Sequence, residues 1–336
     1  MPDAAATVKP RVLSGITATG ALHIGNYIGA LSVWAVEQDR FENFFFIADL
    51  HALTDPESVR PAELRERIRS IAALYLACGL DPGKSVLFLQ SQVPAHAALG
   101  WIFDCVTPVS WLERMTQYKA KSERVTPSAG LLTYPALMAA DILLYQAQYV
   151  PVGDDQRQHV ELTRDIAQRF NHLFGETFTV PQPLIRESGA RIMGLDDPAA
   201  KMSKSLAAIR EGHAIGLLDP PGKIRRAVMR AVTDSRTEVT PGDLSPGVDN
   251  LLVLFEVLTR TSRADTLSQF AGQGYGVLKE AVAEAAIGQV SSIQERYKQI
   301  RADRGYVDTI LADGAERAAA VAEQTLHTAM RAAGLA

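Results

Sequence analysis

Residues whose types and spacing could do chemistry fall in three places in this sequence. The first is the stretch 12–29, Val-Leu-Ser-Gly-Ile-Thr-Ala-Thr-Gly-Ala-Leu-His-Ile-Gly-Asn-Tyr-Ile-Gly. Val12-Leu13 reads as the end of a first strand and Gly15, Thr17, Ala18, Thr19 and Gly20 as a turn. Leu22, Ile24, Tyr27 and Ile28 read as the apolar positions of a helix, with Thr19 placed to cap it. A strand, a glycine-containing turn and a helix N-terminus together present free backbone N–H groups to a phosphate, and His23 falls where such an anion would sit. The second place is Lys201-Met202-Ser203-Lys204-Ser205, where two mobile cations beside small hydroxyls suit a polyphosphate that must be gripped and then released. The third is Tyr134, Met138 and Asp141, spaced i, i+4 and i+7 and so sharing one helix face. A carboxylate among Leu137, Ala139, Ala140, Ile142 and Leu143 is costly to bury without a partner. Asp141 therefore either holds a neighbouring backbone N–H or accepts a hydrogen bond from a ligand. An indole N–H is such a donor, and a flat aromatic ring packs well on a methionine sulfur.

The elements that must position these groups follow from the apolar pattern. Phe44-Phe45-Phe46-Ile47-Ala48 suits a strand buried on both faces, and Asp49 to Thr54 follow at its C-terminal end, where open α/β sheets bind ligands. His51 is thus a pocket residue or an ordinary loop histidine. Residues 61–78 read as a helix, with Pro61 at its start and Gly79 beyond its end, and Ser85 to Gln90 as the next strand. This alternation predicts an α/β fold with a doubly wound parallel sheet. Residues 95–170 read as a mostly helical insertion, with a basic hook at Tyr118–Ser122 and a helix beginning at Tyr134. Val150-Pro151-Val152 reads as a strand, Gly153-Asp154-Asp155-Gln156 as a turn and the following residues as a helix through Phe170. Asp155 could accept ribose hydroxyls and Gln156 could bond the charged ends of an amino acid, while an aspartate here also suits a helix cap. Arg191 to Leu195 reads as a short strand leading into the lysine loop. Beyond 206 helices dominate: Lys223, Arg226 and Arg230, with Arg225 beside them, form a basic face that is either solvated or docks RNA, and 251–259, 277–300 and 315–333 read as further helices.

Composition bounds the answer. The 336 residues suffice for two domains, and 47% hydrophobic content supports a sizeable core. A net charge of −4 argues against a surface that binds nucleic acid everywhere, so an RNA contact would come from a local patch and DNA is not an expected partner. The two cysteines form no CxxC pair and the seven histidines show no metal-ligand spacing, so no metal site is expected in the protein itself. Met1 to Pro10 lacks an apolar core of signal-peptide length, and no run nears the roughly 18 apolar residues of a membrane span. A soluble, cytoplasmic protein without membrane contact is expected.

Thr19-Gly20-x-x-His23-x-Gly25-Asn26 resembles the HIGH signature of class I aminoacyl-tRNA synthetases, and Lys201–Ser205 is similar to their KMSKS loop in every position. The resemblance extends to the bacterial tryptophanyl-tRNA synthetases over nearly the whole chain. Ser14-Gly15-Ile16, His23–Leu31, Leu112–Gln117, Ala129–Pro135, Met138–Leu143, Val150–Gly153 with Asp155-Gln156, and Ala231–Ser235 carry it beside the lysine loop. It implies ATP-dependent activation of L-tryptophan to an adenylate, transfer to tRNA(Trp), Mg²⁺ bound with ATP, and a homodimer. By that resemblance His23, Gly25 and Asn26 would hold ATP, with Thr17, Ala18 and Thr19 around it. Lys121, Lys201 and Lys204, with Met202, Ser203 and Ser205 of the same loop, would face the leaving pyrophosphate. Gly153, Asp154, Asp155 and Ile192 would line the adenosine site. Asp141 would take the indole N–H, Met138 would pack on the ring, Tyr134 and Gln156 would orient the ammonium and carboxylate, and Gly15, His51, Val150 and Val152 would complete the amino-acid pocket. Residues 1–205 would form the catalytic domain and 206–305 a helical domain approaching the anticodon. Residues 306–336 would pack back on the catalytic domain. The turn departs from the Gln-Pro-Thr/Ser-Gly common in that family: Thr17-Ala18-Thr19-Gly20 has a short hydroxyl in place of a long amide and no stiffening proline. Neither change removes a charge, so activity is expected to survive.

Tyrosyl-tRNA synthetases share the fold and both signatures, but a phenol needs more than one polar partner, and Met138 beside a lone Asp141 fits indole better. A non-charging paralogue with a regulatory role would be expected to lose a catalytic lysine, and His23, Lys201 and Lys204 are all present.

Overall fold

The computed structural model describes residues 9–122, 127–153, 156–184 and 191–335. Five strands, β1 (Arg11–Thr17), β2 (Glu42–Ala48), β3 (Ser85–Leu89), β4 (Tyr149–Pro151) and β5 (Gln182–Leu184), form one sheet in the order β3-β2-β1-β4-β5. Every pairing in it is parallel, as the strand–helix alternation predicts. The run at Phe44–Ala48 is apolar throughout because successive side chains enter opposite cores: Phe45 and Ile47 pack on one side, Phe44, Phe46 and Ala48 on the other.

Between β1 and β2 the chain winds through α1 (Ile24–Asn26), a π-helical turn at Tyr27–Leu31 and α2 (Ser32–Glu37). The β2–β3 crossover is α3 (Pro61–Ala77). It opens on a proline and closes in a Schellman motif: Leu80 N–H donates to Tyr75 O (3.2 Å), Gly79 N–H to Leu76 O (3.0 Å), and Gly79 takes φ +103°. After β3 come α4 (Ala95–Val106), α5 (Val109–Glu113), α6 (Thr116–Ser122) and α7 (Ala129–Leu144), and α8 (Arg157–Phe174) joins β4 to β5. The rest of the described chain is helical: α9 (Lys204–Ala207), α10 (Pro221–Met229), α11 (Pro246–Thr259), α12 (Arg263–Phe270), α13 (Tyr275–Ala302) and α14 (Arg304–Ala332). Helices α3, α10, α11 and α13 share the core on one side of the sheet, and α4, α7 and α8 that on the other. The last helix, α14, lies along β3, the outermost strand. A Cβ built on Gly314 would sit 1.8 Å from the Leu87 carbonyl oxygen, so helix and strand backbones are in direct contact.

Several local expectations need correction. β1 continues to Thr17 and pairs with β2 up to Ala48, so Gly15 and Thr17 belong to a strand and not to a turn. Helix α7 begins five residues before Tyr134. Ser128 Oγ accepts from the Leu131 N–H (3.1 Å) and caps the helix there, and Pro135 sits inside it. The basic hook at 118–122 is the body of α6. Arg191 to Leu195 is no sheet strand: Met193 makes a single antiparallel bridge, to Lys201, within the lysine loop's own closure.

Candidate active site

The C-terminal ends of β1, β2, β3 and β4 open on one side of the sheet, and the chain reverses its winding direction between β1 and β4. A crevice at such a switch point is where doubly wound sheets bind their ligands. Two groups of side chains line it.

On the phosphate side, His23 is the N-cap of α1, 4% exposed, and its backbone N–H donates to Asn26 Oδ1 (3.1 Å). Thr19 therefore does not cap this helix; it lies exposed in the preceding bend. The segment is clamped from across the chain, with Ile24 N–H donating to Ile215 O (2.8 Å) and Leu217 N–H to Leu22 O (2.9 Å). Burial first, then the charges of Lys204, His213 and Lys201, push the His23 pKa down to about 3, so the ring is neutral at physiological pH. Its Nδ1 is buried against the first turn of α1, on the side of Gly25 and Asn26.

The lysine loop closes directly over this segment. A Cβ on Gly20, which takes φ +62°, would lie 2.8 Å from Lys204 Cβ, so this position needs glycine for the two motifs to approach, while one on Gly25 would make ordinary contact with Met202 Sδ at 3.6 Å. Lys204 Nζ donates to the Thr17 carbonyl at the end of β1 (2.9 Å). Burial, then the charge of Arg67, lowers the pKa of this amine to about 7. The loop is tied off by Met202 N–H to Ile192 O (3.0 Å), by Gly194 N–H to Ala200 O (2.8 Å) and by Ser203, which caps α9. Under it, the buried His213 ring places Nδ1 2.5 Å from Asp196 Oδ1 and Nε2 3.3 Å from the Lys201 carbonyl.

On the other side of the crevice, Asp141 is 1% exposed at the heart of a polar cluster. His51 Nε2 lies 2.8 Å from Oδ2, while Gln90 Nε2 (2.7 Å) and His96 Nδ1 (2.6 Å) meet Oδ1. Burial alone would raise this carboxyl's pKa; the bonds from His51 and His96 outweigh it and hold the group at about 2, fully ionised. Met138 is half-buried one turn earlier on α7. Tyr134, one turn earlier again, keeps its hydroxyl 2.8 Å from His159 Nε2, with burial raising its pKa to about 12. Its ring meets that of His51 edge-on, centroids 6.2 Å apart. Gly15 is exposed, and a Cβ there would lie 2.7 Å from the Phe46 ring, so the strand stays bare where it borders the crevice. Val150 is buried and Val152 half-buried, and Gln156 stands at the N-cap position of α8, near the exposed Gly153, without a side-chain capping bond. Asp154 and Asp155 lie outside the described residues, and Lys121 is placed on α6 by its backbone alone. Gln90, His96 and Tyr145 were not singled out from the sequence. The position of Gln90 at the C-terminal end of β3 was the available signal for the first.

The expected basic face of α10 is thinner than its sequence. Lys223, Arg226 and Arg230 are exposed, with Lys223 Nζ paired to Asp219 (2.8 Å), while the half-buried Arg225 is turned to Glu280 and Glu284 of α13.

At the switch point of the sheet the structure thus gathers a neutral histidine under a double-lysine loop and, on the other side, an ionised hydrogen-bond acceptor. The family described as tRNA synthetases class I (W and Y) matches residues 5–290. The chain is 47% identical to the tryptophan--tRNA ligase of Wolinella succinogenes over 330 residues, 98% of this chain and 99% of that one. It is similar to the structure of tryptophanyl-tRNA synthetase from Mycoplasma pneumoniae, with a TM-score of 0.89 at 36% identity over 98% of this chain and 99% of the other. The Campylobacter jejuni tryptophanyl-tRNA synthetase complexed with ADP and tryptophan gives 0.81 at 34% identity over 97% and 100% of the two chains. The chain belongs to the class I tRNA synthetases for tryptophan and tyrosine.

Proposed function

We infer that this protein activates L-tryptophan with ATP and transfers it to tRNA(Trp), and that the residues gathered in the crevice divide the work as follows. The observation that carries the choice of amino acid is Asp141, an ionised, acceptor-only group at the aromatic end of the site, on one helix face with the Met138 thioether. An indole N–H donates and asks for nothing in return. Tyr134 and Gln156 orient the ammonium and carboxylate, and His51, Gly15, Val150 and Val152 shape the pocket.

The tryptophan carboxylate oxygen attacks the α-phosphorus of ATP, the bond to the β-phosphate oxygen breaks, and pyrophosphate leaves. Neutral His23 holds ATP beside Gly25, Asn26 and Thr17–Thr19, and Gly153, Asp154, Asp155 and Ile192 hold the adenosine. Lys121, Lys201 and Lys204 oppose charge that grows on the leaving pyrophosphate, the usual electrostatic route in phosphoryl transfer. Among the described residues no three imidazole, thiol or carboxylate groups gather to hold a metal ion. We read Mg²⁺ as bound with ATP, where it would screen the charge of the phosphates. In the second step the terminal 2′-hydroxyl of the tRNA attacks the acyl carbon and AMP departs. Residues 206–305 form the unit that meets the tRNA, with Arg226 and Arg230 as its cations. We also read the chain as working in the cytoplasm as a homodimer.

The test is ATP–pyrophosphate exchange with each of the twenty amino acids supplied separately. Exchange with tryptophan alone is the expected result, and exchange with tyrosine would overturn the reading of Asp141.

A further inference from the structure

Behind the face of Asp141 that borders the crevice lies a second layer of polar side chains, closed to solvent. An ionised carboxylate only accepts hydrogen bonds, so each of its neighbours donates. Gln90 Nε2 donates to Oδ1, and its orientation is fixed because its Oε1 accepts the Leu50 N–H (3.1 Å). His96 also faces Oδ1, so its hydrogen is on Nδ1. Its Nε2 meets the Tyr145 hydroxyl at 2.8 Å, and His96 and Tyr145 are both 0% exposed. Burial, then the negative charge of Asp141, raises the Tyr145 pKa and keeps the phenol protonated. One assignment satisfies every atom: Tyr145 O–H donates to His96 Nε2, and His96 Nδ1–H donates to Asp141 Oδ1. Oδ1 is then filled from behind by two donors. Oδ2 is the oxygen on the side of His51, whose ring is partly exposed to the crevice.

We propose that His96, backed by Tyr145, is a positioning residue that turns Asp141 so that Oδ2 addresses the ring N–H of the substrate, and that this pair thereby sets the preference for a ring that donates. The inference rests on Asp141 as the indole acceptor and deepens that assignment. Both ring nitrogens of His96 are engaged, at 2.6 and 2.8 Å, in one line of donors that ends on Asp141 Oδ1. Removing it would leave an Asp141 lone pair and the Tyr145 hydroxyl unsatisfied in the core and free the carboxylate to rotate.

The experiment compares L-tryptophan with β-(3-benzothienyl)-L-alanine, in which sulfur replaces the ring N–H, by kcat/KM in ATP–pyrophosphate exchange. The variants are His96→Leu, His96→Asn and Tyr145→Phe. An asparagine amide can place its nitrogen near the site of Nδ1 and keep the donor to Asp141. The wild-type protein is expected to favour tryptophan by about tenfold or more, the scale of a lost buried hydrogen bond. His96→Leu should cut that preference at least about fivefold and Tyr145→Phe by a smaller factor, with the KM for ATP unchanged, and His96→Asn should restore most of it. A structural defect alone would lower both substrates together and leave their ratio intact. A preference that survives both His96→Leu and Tyr145→Phe overturns the role of His96. If His96→Leu does not fold, Tyr145→Phe, which removes one oxygen, decides by the same ratio. A wild-type protein that does not separate the two substrates overturns the assignment of Asp141 itself, a distinct failure.

Discussion

Lys204 gives the sharpest quantitative prediction. Its amine is held against the Thr17 carbonyl in a site where burial and Arg67 bring its pKa to about 7, far below the ordinary lysine value near 10.4. A polyphosphate needs the charged form, and its negative charge raises the pKa of the amine on binding. The sign follows: above pH 7 the free protein has released a proton that ATP binding must restore, so affinity falls as pH rises. Each pH unit above the free pKa costs about 1.4 kcal/mol, or tenfold. With a free value near 7, the protonated fraction drops about 25-fold between pH 6.5 and 8.5, and the apparent affinity for MgATP should drop with it. Titration calorimetry at pH 8 in HEPES and in Tris, whose ionisation heats differ, should report uptake of about 0.9 proton per ATP bound. Lys204→Met should bind more weakly at pH 6.5, lose the pH slope and take up no proton. Uptake near zero in the wild-type protein, or the same slope in Lys204→Met, would refute the reasoning.

Asp141→Asn should lower kcat/KM for tryptophan by on the order of 100-fold, because an amide offers the indole a neutral acceptor and upsets three donors, while the KM for ATP stays put; equal loss for both substrates would contradict it. Arg226→Glu should weaken aminoacylation several-fold and spare pyrophosphate exchange, since this exposed cation lies on α10, outside the crevice; a parallel fall in both assays would point to misfolding instead. Gly314→Ala should destabilise the fold by about 1–3 kcal/mol or more, because its Cβ would meet the Leu87 backbone and not a flexible side chain, and an unchanged urea midpoint would contradict that contact. Acid should also destabilise the protein through His23. Its folded pKa, about 3, lies below the unfolded value near 6.5, so the unfolded chain binds the extra proton between them and stability falls as pH drops through that window. A protein of equal stability at pH 6.5 and 4.5 whose His23→Gln variant is also unchanged would count against it.

The parallel sheet was legible from β2 and β3, which are apolar on both faces, and from helices that carry their own stops, as with the Pro61…Gly79 pair, whereas the short, partly exposed β5 left no such pattern and was not legible. Nor were boundaries set by competition. Thr19 has a good capping side chain, yet the chain bends at Gly20 and hands the cap position to His23. The sequence pattern places the start of α7 at Tyr134, five residues late, because Ser128, which caps it, stands in a segment without a strong apolar pattern. The meeting of the two signatures needs tertiary facts, namely the backbone pairing of 22–24 with 215–217 and the reach of Lys204 to Thr17. The same holds for His96 and Gln90. Their partner Asp141 is about fifty residues away in sequence, and no local spacing announces such a bond. The pairing of Arg225 with α13 is likewise invisible in a helix read alone.

The seam between α14 and the rim of β3 bears on how the protein comes into being. A strand at the margin of a sheet offers unmatched N–H and C=O groups to any passing strand. Here the cover for that margin lies more than two hundred residues further along the chain, at Gly314 and its neighbours. During synthesis the sheet can form on the ribosome well before its cover emerges, and in that interval the nascent chain carries an open rim. Folding of the amino-terminal half is thus left waiting for the tail. A ribosome stalled short of residue 304 would release a chain whose nucleotide-binding half has its strands but not its guard, a candidate for chaperone capture and for aggregation through β3.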